Sequence, residues 1–146
     1  MNENDRRKVV AIAESWVGCP FHDCAALKGV GVDCANLVAK VFEEACLVDS
    51  IPIPPYTPHF FLHKGEELLC DELLKYAHEI PENEVLPADL VVYKVGRAYA
   101  HVAIVCEWPS YVIHAHKPSR AVIASHVEHR ELMGRPRRYF RFGGLD

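Results

Sequence analysis

The sequence predicts an α+β fold, with N-terminal helices packed on an antiparallel sheet of about five strands. Three observations carry this. In the first half, apolar residues recur at helical spacing, as at Val9, Ile12, Ala13, Trp16 and Val17. After Pro81 the pattern changes to short β-branched or aromatic runs separated by turn residues. Helices first and strands second is the order of an α+β chain, not of alternating βαβ units.

The first helix is expected over residues 5–17, ended by Gly18 and Pro20. Residues 19–32 read as loop, with Gly29 and Gly31 as hinges. A second helix begins near Cys34. Asp33 is a good N-cap, and Leu37, Val38, Val41, Phe42 and Ala45 form one apolar stripe. Prolines 52, 54, 55 and 58 exclude regular structure in the next stretch, because each removes a donor and fixes φ. A third helix is expected over residues 64–80, burying Leu69, Leu73, Tyr76, Ala77 and Ile80. Strands follow at 89–95, 101–106, 111–115, 121–125 and 138–142, with Asp89 capping the turn into the first. A chain of 146 residues suits one domain, placed at 1–146, because two cores of this size would each be thin.

Composition narrows function. A net charge of -4 leaves no basic excess to neutralise phosphates, which argues against a nucleic-acid partner. The basic cluster Arg135, Arg137, Arg138 and Arg141 alternates with apolar residues and reads as the solvated face of a strand. No apolar run approaches membrane-spanning length, and no signal core follows the charged start. Synthesis and folding in the cytoplasm are therefore expected, with the six cysteines as free thiols rather than disulfides. Cys46, Cys70 and Cys106 are expected in the core, and Glu43 and Glu44 on a solvated helix face.

Cys34 stands out because it falls in the first turn of a helix. Unpaired N–H groups and the positive end of the helix dipole favour a thiolate there, and the same amides can stabilise an oxyanion. A buried structural cysteine is the plainer alternative. His101 opens the apolar strand Val102-Ala103-Ile104-Val105, where it can project from the sheet's end as a general base. A half-buried histidine bonded to a carbonyl is the alternative there. If strands 101–106 and 111–116 form a hairpin, residue 101 falls opposite 115 or 116, within diagonal reach of His114. His114 and His116 share a parity, so both are candidates to orient the base.

The order of Asp33-Cys34-Ala35-Asn36-Leu37-Val38, Pro87-Ala88-Asp89-Leu90, His101-Val102-Ala103-Ile104-Val105 and Val112-Ile113-His114-Ala115 resembles the NlpC-type papain-like cell-wall peptidases. The resemblance spans almost the whole chain, including Gly18-Cys19-Pro20-Phe21, and is strongest to members encoded beside phage tail genes. It implies a papain-like fold with Cys34 as nucleophile, His101 as base and His114 as the third residue. It also implies hydrolysis of amide bonds in peptidoglycan stem peptides, no cofactor or metal, and phage tail proteins as partners in a phage particle. Asp33, Ala35, Phe21 and His22 are expected to line the substrate site. Ala35-Asn36 replaces the family's Ser-Gly, and Phe21 replaces its tyrosine, removing a hydroxyl from each side of the site.

Other features weigh less. Cys19, His22 and Cys24 crowd together, but their spacing matches no common zinc pattern, so no metal is expected. His59 and His63 flank Phe60-Phe61-Leu62 and are candidates to wall the substrate groove. Three other readings remain: the same fold acting on lipid or conjugate amides, a non-enzymatic assembly module, and a zinc module.

Overall fold

A computed structural model gives the structure of residues 1–54 and 67–143. The expectations for His59, His63 and the start of the third helix fall on residues 55–66, outside the described residues. Helix α1 spans Glu3–Ser15 and α2 Cys34–Glu44. Asn2 starts α1 earlier than periodicity suggests, because its side chain accepts from Asp5 N while the Asp5 carboxylate accepts from Asn2 N. At α2 the cap is Asp33, whose carboxylate accepts from Asn36 N. The expected stripe of α2 is buried in full, Leu37 to Ala45.

The main sheet has six antiparallel strands, one more than expected: β3 (Ala77–Ile80), β4 (Leu90–Val95), β5 (Ala98–Glu107), β6 (Tyr111–His116), β7 (Ala121–His126) and β8 (Arg137–Phe142), in spatial order β3-β8-β4-β5-β6-β7. The extra strand corrects the third helix. Helix α3 is only Leu68–Leu73, and the chain then turns into β3, which pairs with β8 from Ala77↔Phe142 to Ile80↔Tyr139. Ala77 and Ile80 fit one face of a helix as well as the two ends of a short strand. The partner strand decides, and Arg138 of β8 donates two hydrogen bonds to the Glu79 carboxylate, fixing the register.

Alternation along the strands divides the core. Leu90, Val92, Val102, Ile104, Ile113, Phe140 and Phe142 pack with Val9, Ala13, Leu37, Val41 and Phe42 of the helices. Val91, Tyr93, Ala103, Val105, Val112 and Tyr139 form a second cluster on the other face, closed by Val127 and Leu132. The sheet is thus covered on both sides. Cys70 and Cys106 are buried as expected, but Cys46 is exposed. It follows the C-cap of α2 at φ 58, the left-handed position that ends many helices, and its side chain is turned out.

Ion pairs fasten the helical layer to the sheet. Asp89 is fully buried, and its carboxylate accepts from Arg6 of α1, Arg141 of β8 and Leu86 N. The turn-capping role expected of Asp89 is the Leu86 contact; the two arginines add a cross-layer tie. The arginines of β8 are therefore not a simple solvated face: Arg138 and Arg141 are committed to Glu79 and Asp89. Glu43 and Glu44 also have partners, Glu43 in Ile51 N and Lys40, Glu44 in the Trp16 indole N–H.

The segment before Cys34 is not plain loop. Strands β1 (Ala26–Leu27) and β2 (Gly31–Val32) form a short hairpin that delivers the chain to Asp33. Gly31 sits so close to the preceding turn that a Cβ there would lie 2.8 Å from the Cβ of His22. Gly31→Ala is therefore expected to destabilise the protein by about 1–3 kcal/mol, measured by urea denaturation, because backbone has to move.

Candidate active site

The first turn of α2 sets Cys34 against the middle of the main sheet. Cys34 Sγ lies 3.9 Å from Ala100 O, and the Val102 amide also approaches the sulfur, so the thiol meets β5 on both sides of residue 101. Cys34 and His101 line one cavity of about 270 Å³, together with Phe21, His116, Glu131 and Arg135. A larger groove of about 680 Å³ lies against α1 and holds Cys106 but no histidine. The candidate nucleophile and base thus share the smaller cavity.

Behind the cavity the polar groups form a line. His101 Nε2 is 2.8 Å from His114 Nδ1, and His114 Nε2 is 2.8 Å from Ser125 Oγ. His114 is fully buried, while His101 is partly exposed. The register explains the meeting: Ile104 faces Ile113 and Val105 faces Val112, so residue 101 falls across from 116 when the pairing is extended. His114 is then the diagonal neighbour on the same face. His116 turns elsewhere, with Nδ1 2.6 Å from Ser119 Oγ and Nε2 3.2 Å from the Glu131 carboxylate. That second contact is close enough for an ion pair but lacks hydrogen-bond alignment. Of the two histidines considered, the one in contact with His101 is His114.

Burial opposes the helix N-terminus at Cys34. Burial pushes the Cys34 thiol up to about 12, and the Asp33 carboxylate pushes the same way, outweighing the hydrogen bonds from Val102, Ala35 and its own amide. Burial also lowers His101 to about 4, helped by the charges of His116 and Arg135. Both shifts favour the uncharged forms, a neutral thiol and a neutral imidazole, against the thiolate that the helix N-terminus favours. Each charge alone is penalised by burial, and the two cost least when they appear together.

The same burial makes stability pH-dependent. His101 and His114 are lowered to about 4 and about 2, His114 by burial first and then by its neighbours His101, His116 and His129. In the unfolded chain both regain ordinary values and take up protons first as pH falls. Their contribution is full above about pH 6.5 and is lost on acidification through the folded values. The melting temperature is expected to drop from pH 6.5 to 4, and less steeply in His101→Gln, by calorimetry across that range.

The remaining site residues named from sequence scatter. Phe21 lines the Cys34 cavity, whereas His22 lines a neighbouring shallow depression with Asp23, Lys117 and Arg120. Asp33 is buried, accepts from Cys24 N and from the amide and side chain of Asn36, and caps the helix. Ala35 opens on a small recess against Leu69, Leu73 and Ile51, because one helical step rotates it about 100° from Cys34. His59 lies outside the described residues. Ser125, Glu131 and Arg135 were missed, since a serine in a strand and charges around a short 3-10 turn carry no pattern. Among the described residues no group of three or more histidine, cysteine or acidic side chains converges as a metal site, and no helix is long and apolar enough to cross a membrane.

No family model matches the sequence, and no curated protein matches it. Solved structures do match. The NlpC/p60 domain of the peptidoglycan hydrolase SagA superposes with a TM-score of 0.65 at 18% identity, covering 91% of this chain and 96% of that one. NlpC1 from Trichomonas vaginalis gives a TM-score of 0.70 at 15% identity, covering 97% of this chain but 45% of that one. This chain has the NlpC/p60 fold. It spans nearly all of the SagA domain, and under half of the Trichomonas protein. The NlpC/p60 fold does not by itself mean catalysis. RipD from Mycobacterium tuberculosis, described as a non-catalytic NlpC/p60 domain protein adapted to peptidoglycan binding, matches with a TM-score of 0.65 at 15% identity, covering 96% of this chain and 98% of that one. In a chain of this fold, function has to be argued from the site.

Proposed function

We propose that this chain is an NlpC-type cysteine peptidase that hydrolyses amide bonds in peptidoglycan stem peptides. The observation that carries the reading is the shared cavity of Cys34 and His101, with the far nitrogen of His101 hydrogen-bonded to His114. A decayed site has no need of that alignment. The similarity to structures described as peptidoglycan hydrolases supplies the substrate class.

In this reading the Cys34 thiol proton passes to His101 Nδ1 as the sulfur attacks the amide carbonyl. The N–H groups of Cys34 and Ala35 in the first turn of α2 have no carbonyl within the helix to bond; they lie at the sulfur and are the donors nearest the developing oxyanion in this reading. The C–N bond breaks as His101 returns its proton to the leaving amine, leaving a thioester on Cys34. Water then attacks the thioester with His101 again taking the proton, and the carboxylic acid and free thiol are released. Phe21 offers no hydroxyl to this oxyanion, so its stabilisation rests on backbone.

Incubating the protein with synthetic stem peptides and following products by mass spectrometry tests the reading. Cleavage by wild type and none by Cys34→Ser is the expected result. A peptide that binds and stays intact favours instead a binding role of the RipD kind. Turnover of simple acyl amides but not stem peptides favours another substrate for the same chemistry.

A further inference from the structure

The line of hydrogen bonds behind His101 ends on a group that determines its direction. Ser125 is buried on β7, and its hydroxyl contacts two atoms, His114 Nε2 at 2.8 Å and the His126 carbonyl at 3.2 Å. A hydroxyl has one hydrogen to give, and a carbonyl can only accept. The Ser125 hydrogen therefore goes to His126 O, and Ser125 Oγ meets His114 as an acceptor. His114 must then carry its hydrogen on Nε2.

Burial keeps His114 neutral, so it has one ring hydrogen and its Nδ1 is bare. The hydrogen in the 2.8 Å contact between the rings consequently comes from His101 Nε2. His101, also neutral at rest, is left with a bare Nδ1, the ring nitrogen nearer its own backbone. Cys34 Sγ meets the backbone on either side of residue 101, at the Ala100 carbonyl and the Val102 amide, so the nitrogen nearer that backbone is the one assigned to it. Reversed, the line would put the hydrogen on His101 Nδ1, where the base could not accept the thiol proton.

We propose that Ser125 is a positioning residue that sets the tautomer of His101, holding its hydrogen on Nε2 and leaving Nδ1 free to accept a proton from Cys34. This rests on Cys34 and His101 being the reacting pair. A neutral histidine and a serine thereby orient the base without a carboxylate behind it. When His101 gains the thiol proton on Nδ1, its Nε2–H already points at His114, and His114 Nε2–H at Ser125. The imidazolium is then met by dipoles aligned in advance, with no atom moved.

The test reads the tautomer directly, by nitrogen-15 NMR of histidine-labelled protein near pH 7, beside iodoacetamide labelling of Cys34. Wild type is expected to show His101 with a bare Nδ1 and a protonated Nε2. Ser125→Ala is expected to show both tautomers and Cys34 labelling slowed about 10- to 100-fold, and Ser125→Thr, which keeps the hydroxyl, to restore both. A single Nδ1-bare form persisting in Ser125→Ala overturns the proposal, as does a hydrogen on His101 Nδ1 in wild type. The wild-type spectrum decides the second point even if Ser125→Ala fails to fold. An unreactive Cys34 in wild type with the bare-Nδ1 form present defeats the peptidase reading and leaves the tautomer assignment standing.

Discussion

Cys34→Ser is expected to lower stem-peptide hydrolysis by at least about 10,000-fold while leaving stability within about 1 kcal/mol. The two atoms are close in size, so the cavity with His101, Phe21 and Arg135 is preserved. Proton affinity is what changes. His101 is a weak base, lowered to about 4 by burial, and it can deprotonate a thiol only because the thiolate and imidazolium form together. A serine hydroxyl is a far weaker acid, and the same imidazole cannot draw off its proton at a useful rate. Steady-state kinetics with paired denaturation curves check this. Retention of more than a tenth of the wild-type rate would place the nucleophile elsewhere.

Asp89→Ala is expected to have the largest effect on stability, about 3 kcal/mol. The carboxylate is fully buried and accepts four hydrogen bonds, three of them from Arg6 and Arg141. Removing it strands two guanidinium groups near the core and frees the Leu86 amide. The arginine side chains retain 12% and 21% of their exposure, so water offsets part of the loss and the figure sits at the low end for broken buried pairs. A melting temperature lower by about 10 °C is the corresponding shift. A drop of under 2 °C would show that the arginines re-solvate freely and that the tie between α1 and β8 is incidental.

Much of this molecule was legible because its strongest signals are local. The α2 stripe, the Asp33 cap and the strands at β4 to β8 each follow from periodicity or a single capping side chain. The hairpin of β5 and β6 made the proximity of His101 and His114 a matter of register, and the 2.8 Å contact follows. What escaped depends on partners distant in sequence. Ala77 and Ile80 become strand residues only because β8 lies beside them. Ser125 matters only because β7 pairs with β6 at Val112↔Ser125, which places its hydroxyl beside His114. At Cys34 the helix dipole is visible in sequence, but the burial that opposes it depends on the fold. Ala35, named for the family's serine position, is turned into a different recess by the helix that displays Cys34 so well.

The central claim is that Cys34 and His101 act as one unit, and thiol reactivity tests it most directly. The six cysteines provide their own controls: Cys24 and Cys46 are exposed, whereas Cys19, Cys70 and Cys106 are buried. Iodoacetamide labelling with peptide mapping, followed against pH, would rank them. In wild type, Cys34 should label faster than Cys24 and Cys46 at neutral pH, with a rate that rises around pH 4 as His101 loses its proton and then stays level. In His101→Ala, Cys34 should fall below both exposed cysteines, because burial and the Asp33 carboxylate push its thiol up to about 12. If Cys34 in wild type labels no faster than Cys24 and Cys46, or keeps its advantage without His101, the two residues are not a catalytic pair.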